Sequence, residues 1–317
     1  MYDIIIIGTG PAGIAAAIYA IRREMKVLLI GKEMGGQVAI SNEIENYPGF
    51  SSINNLELIE NFANHLKSAR VETKINEVRM IEKTEDGAFK LYTNKESFTA
   101  KAIVIAIGMV PQRLAIPGEE RLAGKGVSYC ANCDGPLCRN KVVAVVGGGN
   151  SALDAAEVLS KIASKVYLIH RRDTFRAFEE LVDEVKARDN IEILTNSEIK
   201  EIVGENKVEK LIIKNNQSGK TSELVVNNLF IEIGRIAHTD MIGGLVNRDE
   251  RNQIIVDEKC RTSCEGIFAA GDVTQTEFKQ ITVAVGQGTI AALAAYQYLQ
   301  LKQGGSAGTI LDRSKKK

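Results

Sequence analysis

The chain has no surplus of charge. Its 317 residues carry 40 basic and 40 acidic side chains, a formal net charge of zero. That balance argues against nucleic acid or an anionic membrane as the main partner, since both attract proteins through excess positive charge. No window approaches the ~20 apolar residues a spanning helix requires. The opening Met1-Tyr2-Asp3 lacks the basic region and apolar stretch of a secretory leader. A soluble, cytoplasmic protein is expected. Cysteines are few, at 130, 133, 138, 260 and 264, and none of the three histidines lies near them in sequence. In a reducing compartment a structural disulfide framework is not expected, and a close cysteine pair reads as catalytic or metal-binding.

What the chain does have is clustered glycine, 28 in all. The apolar run at residues 3–7 is followed by Gly8-Thr9-Gly10-Pro11-Ala12-Gly13, an Ala-rich helical pattern to about Arg23, and a second apolar run, Lys26 to Ile30. This is a β-α-β unit with G-x-G-x-x-G at its first turn. The grammar returns at mid-chain. A strand is expected from Lys141 to Val146, then Gly147-Gly148-Gly149-Asn150-Ser151-Ala152, a helix from Ala152 to about Ile162, and a strand from Lys165 to Ile169. In such a motif the first glycine makes the tight turn, the second lets backbone approach a pyrophosphate, and the third position must be small for helix–strand packing. The helix N-terminus adds free N–H groups and partial positive charge. The competing explanation is glycines that serve tight turns alone. At about 100–200 residues per domain the length fits two domains.

The fold class expected is α/β, with two Rossmann-like dinucleotide-binding domains. Breaks at Leu114 to Gly118 and at Gly243-Gly244 place residues 117–244 as a domain inserted into a discontinuous one, 1–114 with 247–317. The tail from Gly304 to Lys317 reads as a solvated end.

The end of the second strand discriminates nucleotides, because an acid there accepts the ribose 2′-hydroxyl. The inserted unit instead reads His170-Arg171-Arg172-Asp173-Thr174-Phe175-Arg176. Forked guanidinium groups at that place fit a 2′-phosphate, hence NADPH; a solvated basic turn is the alternative. The first unit ends Ile30-Gly31-Lys32-Glu33, with its acid two residues late, and a second dinucleotide such as FAD fits it better. Apolar runs also end in glycine at Gly108 and Gly234, and a third ends in Gly271-Asp272. Asp272 is placed either to accept a hydroxyl hydrogen bond or to cap the helix expected from about Thr282.

Cys130-Ala131-Asn132-Cys133-Asp134 holds a C-x-x-C. That spacing allows a disulfide, and a helix N-terminus would favour the reactive thiolate. Asp134 is placed to give or take a proton. A zinc site would need two more ligands, and inert buried thiols are the third alternative. Cys138, Cys260 and Cys264 read as packing residues. Hydride from NADPH, a flavin acceptor and a dithiol then form one two-electron path, and thiol–disulfide exchange carries it to a partner disulfide.

Nearly end to end, the chain resembles the low-molecular-weight thioredoxin reductases. The segments that carry the resemblance are Gly8 to Gly13, Gly35-Gly36-Gln37, Glu45-Asn46-Tyr47-Pro48-Gly49, Cys130 to Gly135, Gly147 to Ala152, His170 to Ala177, Gly271-Asp272 and Lys279-Gln280. The resemblance implies a homodimer that reduces thioredoxin or a thioredoxin-like protein. It implies that Cys133 meets the flavin, Cys130 attacks the partner's disulfide and Asp134 is the acid–base group. FAD would be held by Gly8, Gly10, Pro11, Ala12, Gly13, Gly36, Gln37, Asn46, Gly108, Gly271 and Asp272, with Lys279 and Gln280 by the ring system. NADPH would be held by Gly147, Gly149, Asn150, Ser151, Ala152 and His170, its 2′-phosphate by Arg171, Arg172 and Arg176. Hinges are implied near 114–117 and 244–247. Parts of the chain also resemble the flavoprotein subunit of alkyl hydroperoxide reductase, and Ala237 stands where a proline is usual. A reductase of a peroxiredoxin or glutaredoxin-like carrier, or ferredoxin–NADP reductase-like electron transfer, is therefore the alternative.

Overall fold

The computed structural model of the chain describes residues 1–40 and 43–304. The tail read as a solvated end lies, from residue 305 on, outside the described residues. The chain divides into two compact units, 1–110 with 236–317, and 111–235.

The first unit is built on a parallel sheet. Strands Glu72–Ile75, Val27–Gly31, Tyr2–Ile7 and Ser97–Ile105 follow in that spatial order, and Ile267–Ala269 pairs with the far half of Ser97–Ile105. Both faces are covered at residues 4–7 and 27–31, which is why those strands read as unbroken apolar runs. Ile4 and Ile6 point to one face, against helices Pro11–Arg22 and Ile281–Lys302. Ile5 and Ile7 point to the other, against an antiparallel meander of Val78–Lys83, Phe89–Thr93 and the near half of Ser97–Ile105.

The second unit repeats the plan. Strands Val127–Ser128, Asn228–Glu232, Val142–Gly147, Lys165–Ile169 and Ile191–Leu194 form a five-stranded sheet in that order, all parallel. Val143 and Val145 pack on helices Asn150–Ser160 and Glu179–Lys186. Ala144 and Val146 pack on a three-stranded antiparallel sheet of Ser197–Val203, Lys210–Asn215 and Thr221–Val225.

The crossings between units fall earlier than the proline and glycine breaks. Leu114 and Ile116, partly buried, pack against the core of the second unit. Ala237, Ile242 and Val246 pack in the core of the first. Burial of these apolar side chains, worth about 1.5–3 kcal/mol for a fully buried Ile or Val and less for Ala237 and the partly buried Leu114 and Ile116, outweighs the punctuation of Pro117 and Gly243-Gly244. No described helix is long and apolar enough to cross a membrane.

Candidate active site

The redox turn is short and closely held. Strand Val127–Ser128 leads into Cys130, which caps the helix Ala131–Asp134. Cys130 and Cys133 form a disulfide. The Cys130 Sγ accepts the Cys133 N–H at 3.3 Å. Ser128 organises both sides of the turn: its hydroxyl donates to Asp134 Oδ2 at 2.6 Å and accepts the Cys130 N–H at 3.1 Å. Burial raises the Asp134 carboxyl above its ordinary range, and the Ser128 bond partly opposes this. A carboxyl so poised holds a proton more readily than a surface aspartate does.

Two residues that the sequence did not single out support this turn. Glu119 is buried, and its carboxylate accepts the Leu114 N–H at 3.2 Å, the Ala115 N–H at 2.7 Å and the Tyr129 hydroxyl at 2.8 Å. It thus fixes the strand end that delivers Cys130. Glu232 closes the strand Asn228–Glu232 beside Val127–Ser128. A charge inside the apolar run Leu229 to Ile233 was the signal that could have found it.

The two glycine loops sit at the same place in their units. The first joins Tyr2–Ile7 to Pro11–Arg22, and the second joins Val142–Gly147 to Asn150–Ser160. A β-carbon at Gly8 would collide with the Ala106 carbonyl, and one at Gly13 with the Gly8 carbonyl. Gly10 is different: the nearest atom its β-carbon would meet is 3.8 Å away, and Gly149 has nothing within 4 Å. Both are helix N-caps with no side-chain cap, and Pro11 occupies the first turn of its helix. By contrast, helix Asn55–Ser68 is capped by Asn54, which accepts the Leu56 N–H at 2.9 Å. Open glycines before uncapped helices of 12 and 11 residues are what a bound pyrophosphate requires.

Around the first loop the sequence candidates converge. Gly36 lies against Gly10, with 3.3 Å between its notional β-carbon and the Gly10 Cα, and Gly271 lies against Ala12, at 2.9 Å. Gln37 Nε2 donates to the Met109 carbonyl and, at 3.4 Å, to Asp272 Oδ2. It also lies 3.8 Å from the notional β-carbon of Gly108. Asn46 Nδ2 donates to Gln280 Oε1 at 3.2 Å, and Lys279 Nζ donates to the Asp272 carbonyl at 3.1 Å. Asp272 does not cap the last long helix: that helix begins at Ile281 with Gln280 at its N-cap, and Asp272 sits in the separate turn Gly271–Val273.

Around the second loop, helix Asn150–Ser160 includes Ser151 and the buried Ala152. Asn150 Oδ1 accepts the Phe178 N–H at 3.0 Å. The arginine segment folds onto the glycines, the Arg176 N–H donating to the Gly148 carbonyl at 2.8 Å. Arg171, Arg172 and Arg176 are exposed. Their backbones are held instead: the Arg171 carbonyl accepts from Asn216 at 3.3 Å and that of Arg172 from the Asn196 N–H at 3.0 Å. His170 is buried beneath them, 3.0 Å from the Thr174 carbonyl through Nε2 and stacked on Phe175 at 5.1 Å. Burial lowers its pKa, with the Arg172 and Arg176 charges adding to this and the Thr174 carbonyl opposing it.

The remaining cysteines pack. Cys138 and Cys260 are buried within apolar clusters, and burial pushes their thiols up to about 11 and about 12. Cys264 is half-buried.

The family model described as pyridine nucleotide-disulphide oxidoreductase matches residues 2–288. Thioredoxin reductase of Treponema pallidum is 38% identical over 304 residues, covering 95% of this chain and 98% of that protein. The crystal structure of thioredoxin reductase from Streptococcus pyogenes has a TM-score of 0.84 at 40% identity, covering 95% of this chain and 99% of that one. A ferredoxin-flavin thioredoxin reductase from Clostridium acetobutylicum has a TM-score of 0.54 at 34% identity, covering 96% and 99%. The repeated unit, the paired glycine loops and these likenesses agree: the chain belongs to the pyridine nucleotide-disulphide oxidoreductase family, alongside its low-molecular-weight thioredoxin reductases.

Proposed function

We propose that the chain is an NADPH-dependent protein-disulfide reductase whose partner is thioredoxin or a thioredoxin-like protein. The observation that carries the proposal is the Cys130–Cys133 disulfide on a turn where Ser128 holds Asp134 beside it. The family uses FAD and NADPH, which when bound supply the two electrons that open this disulfide. Gly10, Gly36, Gln37, Asn46 and Asp272 would hold the flavin nucleotide, with Lys279 and Gln280 near its ring. Gly149 and Ser151 would receive the second pyrophosphate, and Arg171, Arg172 and Arg176 its 2′-phosphate.

The exchange itself is the work of the chain. The Cys130 thiolate attacks the partner disulfide, forming a mixed disulfide and releasing one partner sulfur as a thiolate. Cys133 Sγ then attacks Cys130 Sγ, which frees the second partner sulfur and restores the Cys130–Cys133 bond. Two electrons pass to the partner; Asp134 gives a proton to the partner's leaving thiolate and regains one from the Cys133 thiol as that sulfur attacks. The same proposal has the protein working in the cytoplasm as a homodimer, on the strength of the family likeness.

Anaerobic titration with NADPH, followed by oxidised thioredoxin, tests the path. Bleaching of the flavin band and its recovery on thioredoxin addition are expected. Cys130→Ser should still bleach and fail to pass electrons on. Bleaching without recovery in the unaltered protein would remove thioredoxin as the partner. A second reading is favoured by the solved relative named as a ferredoxin-flavin thioredoxin reductase: electrons enter from a ferredoxin. Bleaching by reduced ferredoxin and not by NADPH selects it.

A further inference from the structure

Glu232 stands between the redox turn and the second glycine loop. In the parallel pairing, Ser128 is level with Phe230, and Phe230, two residues before Glu232 on the same strand face, packs in one cluster with Ala131 of the redox turn. On its other side Glu232 is paired with Gly147. The carboxylate accepts the backbone N–H of Ala131, between the two cysteines. Burial pushes the carboxyl up to about 7, against the pull of Arg235 and of the Ala131 N–H. The glycine loop offers no charge here. The ionisable groups on the elements packed against this strand are Asp154 and Glu157, both on helix Asn150–Ser160; Asp134 and the cysteines lie on the redox turn that follows Val127–Ser128.

We propose that Glu232 is a positioning residue of the Cys130–Cys133 centre: it clamps the Ala131 N–H and, when ionised, disfavours the thiolate that reduction creates beside it. This rests on the cysteine pair being the redox centre. Reduction adds two electrons and one proton to the disulfide, breaking the S–S bond to give one thiol and one thiolate. A neighbouring carboxylate repels that thiolate. The effect is present above the carboxyl's own titration and vanishes below it, because the protonated acid carries no charge. By linkage, reduction also draws a proton onto Glu232 near pH 7.

The test equilibrates the holoprotein with oxidised and reduced dithiothreitol at pH 5.5 and pH 8, traps thiols with N-ethylmaleimide, and weighs the peptide bearing Cys130 and Cys133. Glu232→Gln keeps an acceptor for the Ala131 N–H and removes the charge. At pH 8 its cysteine pair should be about tenfold easier to reduce than the unaltered pair, equivalent to about 30 mV for a two-electron couple. At pH 5.5 the two proteins should agree. In the unaltered protein alone, the potential should bend near pH 7. Equal potentials at both pH values, or an equal shift at both, would overturn the role of Glu232 while leaving the redox pair intact. A pair that never exchanges with dithiothreitol would overturn the functional proposal as well.

Discussion

In the first unit the glycine loop carries a side chain and the strand end facing it carries none. In the second unit the assignment is reversed. Thr9 lies over Gly31, so that a β-carbon there would come within 2.9 Å of the Thr9 nitrogen, and its hydroxyl donates to the Glu33 carbonyl. His170 lies over Gly148, where a β-carbon would come within 2.6 Å of its Nε2, and that nitrogen sits 3.0 Å from the Thr174 carbonyl. Each unit therefore fills one gap with one side chain and ties it to a carbonyl just past the second strand. The motif dictates the glycines at its first and second positions. The residue between them is set by the strand end, a partner some twenty residues away. A packed interior has room for one of the two side chains and not for both.

The third motif position gives the sharpest way to break the likeness between the loops. It is Gly13 in one and Ala152 in the other. A β-carbon at Gly13 meets the Gly8 carbonyl, which a packed loop cannot move cheaply. Gly13→Ala should cost about 3 kcal/mol or more and abolish retention of the flavin. Ala152→Gly should cost about 1 kcal/mol, the ordinary helix penalty. Denaturant unfolding and the flavin absorbance of the purified variants check both. Similar losses at the two positions would show that the loops pack alike after all.

The reciprocal pair sharpens the comparison. Gly148→Ala alone should cost about 2 kcal/mol, since the new methyl meets the buried His170 ring. With His170→Gly added, the methyl has the space that Thr9 has in the first unit, and about 1 kcal/mol should return in a double-mutant cycle. Additive losses in that cycle would mean that the ring and the loop are not coupled.

Much of this was legible in the sequence, and the limits have physical causes. Strand Lys165–Ile169 agrees with the sequence to the residue, and the others that flank the glycine loops to within one or two, because strands buried on both faces read as plain apolar runs. The antiparallel layers were not. Val78–Lys83 buries only Val78 and Ile81, and Thr221–Val225 is exposed along most of its length. Such strands show neither a run nor a clean alternation. The packing of Thr9 on Gly31 and of His170 on Gly148 depends on which strand end meets which loop, and no local pattern records that. In the sequence Glu232 is a single charged letter within an apolar segment. Its neighbours there, Phe230 and Ile231, are core residues, so only the pairing of Phe230 with Ser128 and of Glu232 with Gly147 shows what the charge lies beside.

The smallest effect on stability should come from the residues that most separate the two loops in function. The first unit has no counterpart to Arg171, Arg172 and Arg176, and these side chains form no ion pair among the described residues. Replacing exposed, unpaired arginines should move unfolding by no more than about 0.5 kcal/mol. Their anchoring is through backbone carbonyls, which alanine retains. If they wait for a 2′-phosphate, Arg171→Ala with Arg172→Ala should raise the KM for NADPH at least about tenfold, one charged hydrogen bond being worth about 1.5–3 kcal/mol. The KM for NADH, which lacks that phosphate, should stay near its starting value. Steady-state kinetics with both nucleotides, run beside a melting curve, separates the outcomes. An equal rise for both nucleotides would place the arginines in general support of the loop, and the two units would then differ in packing alone.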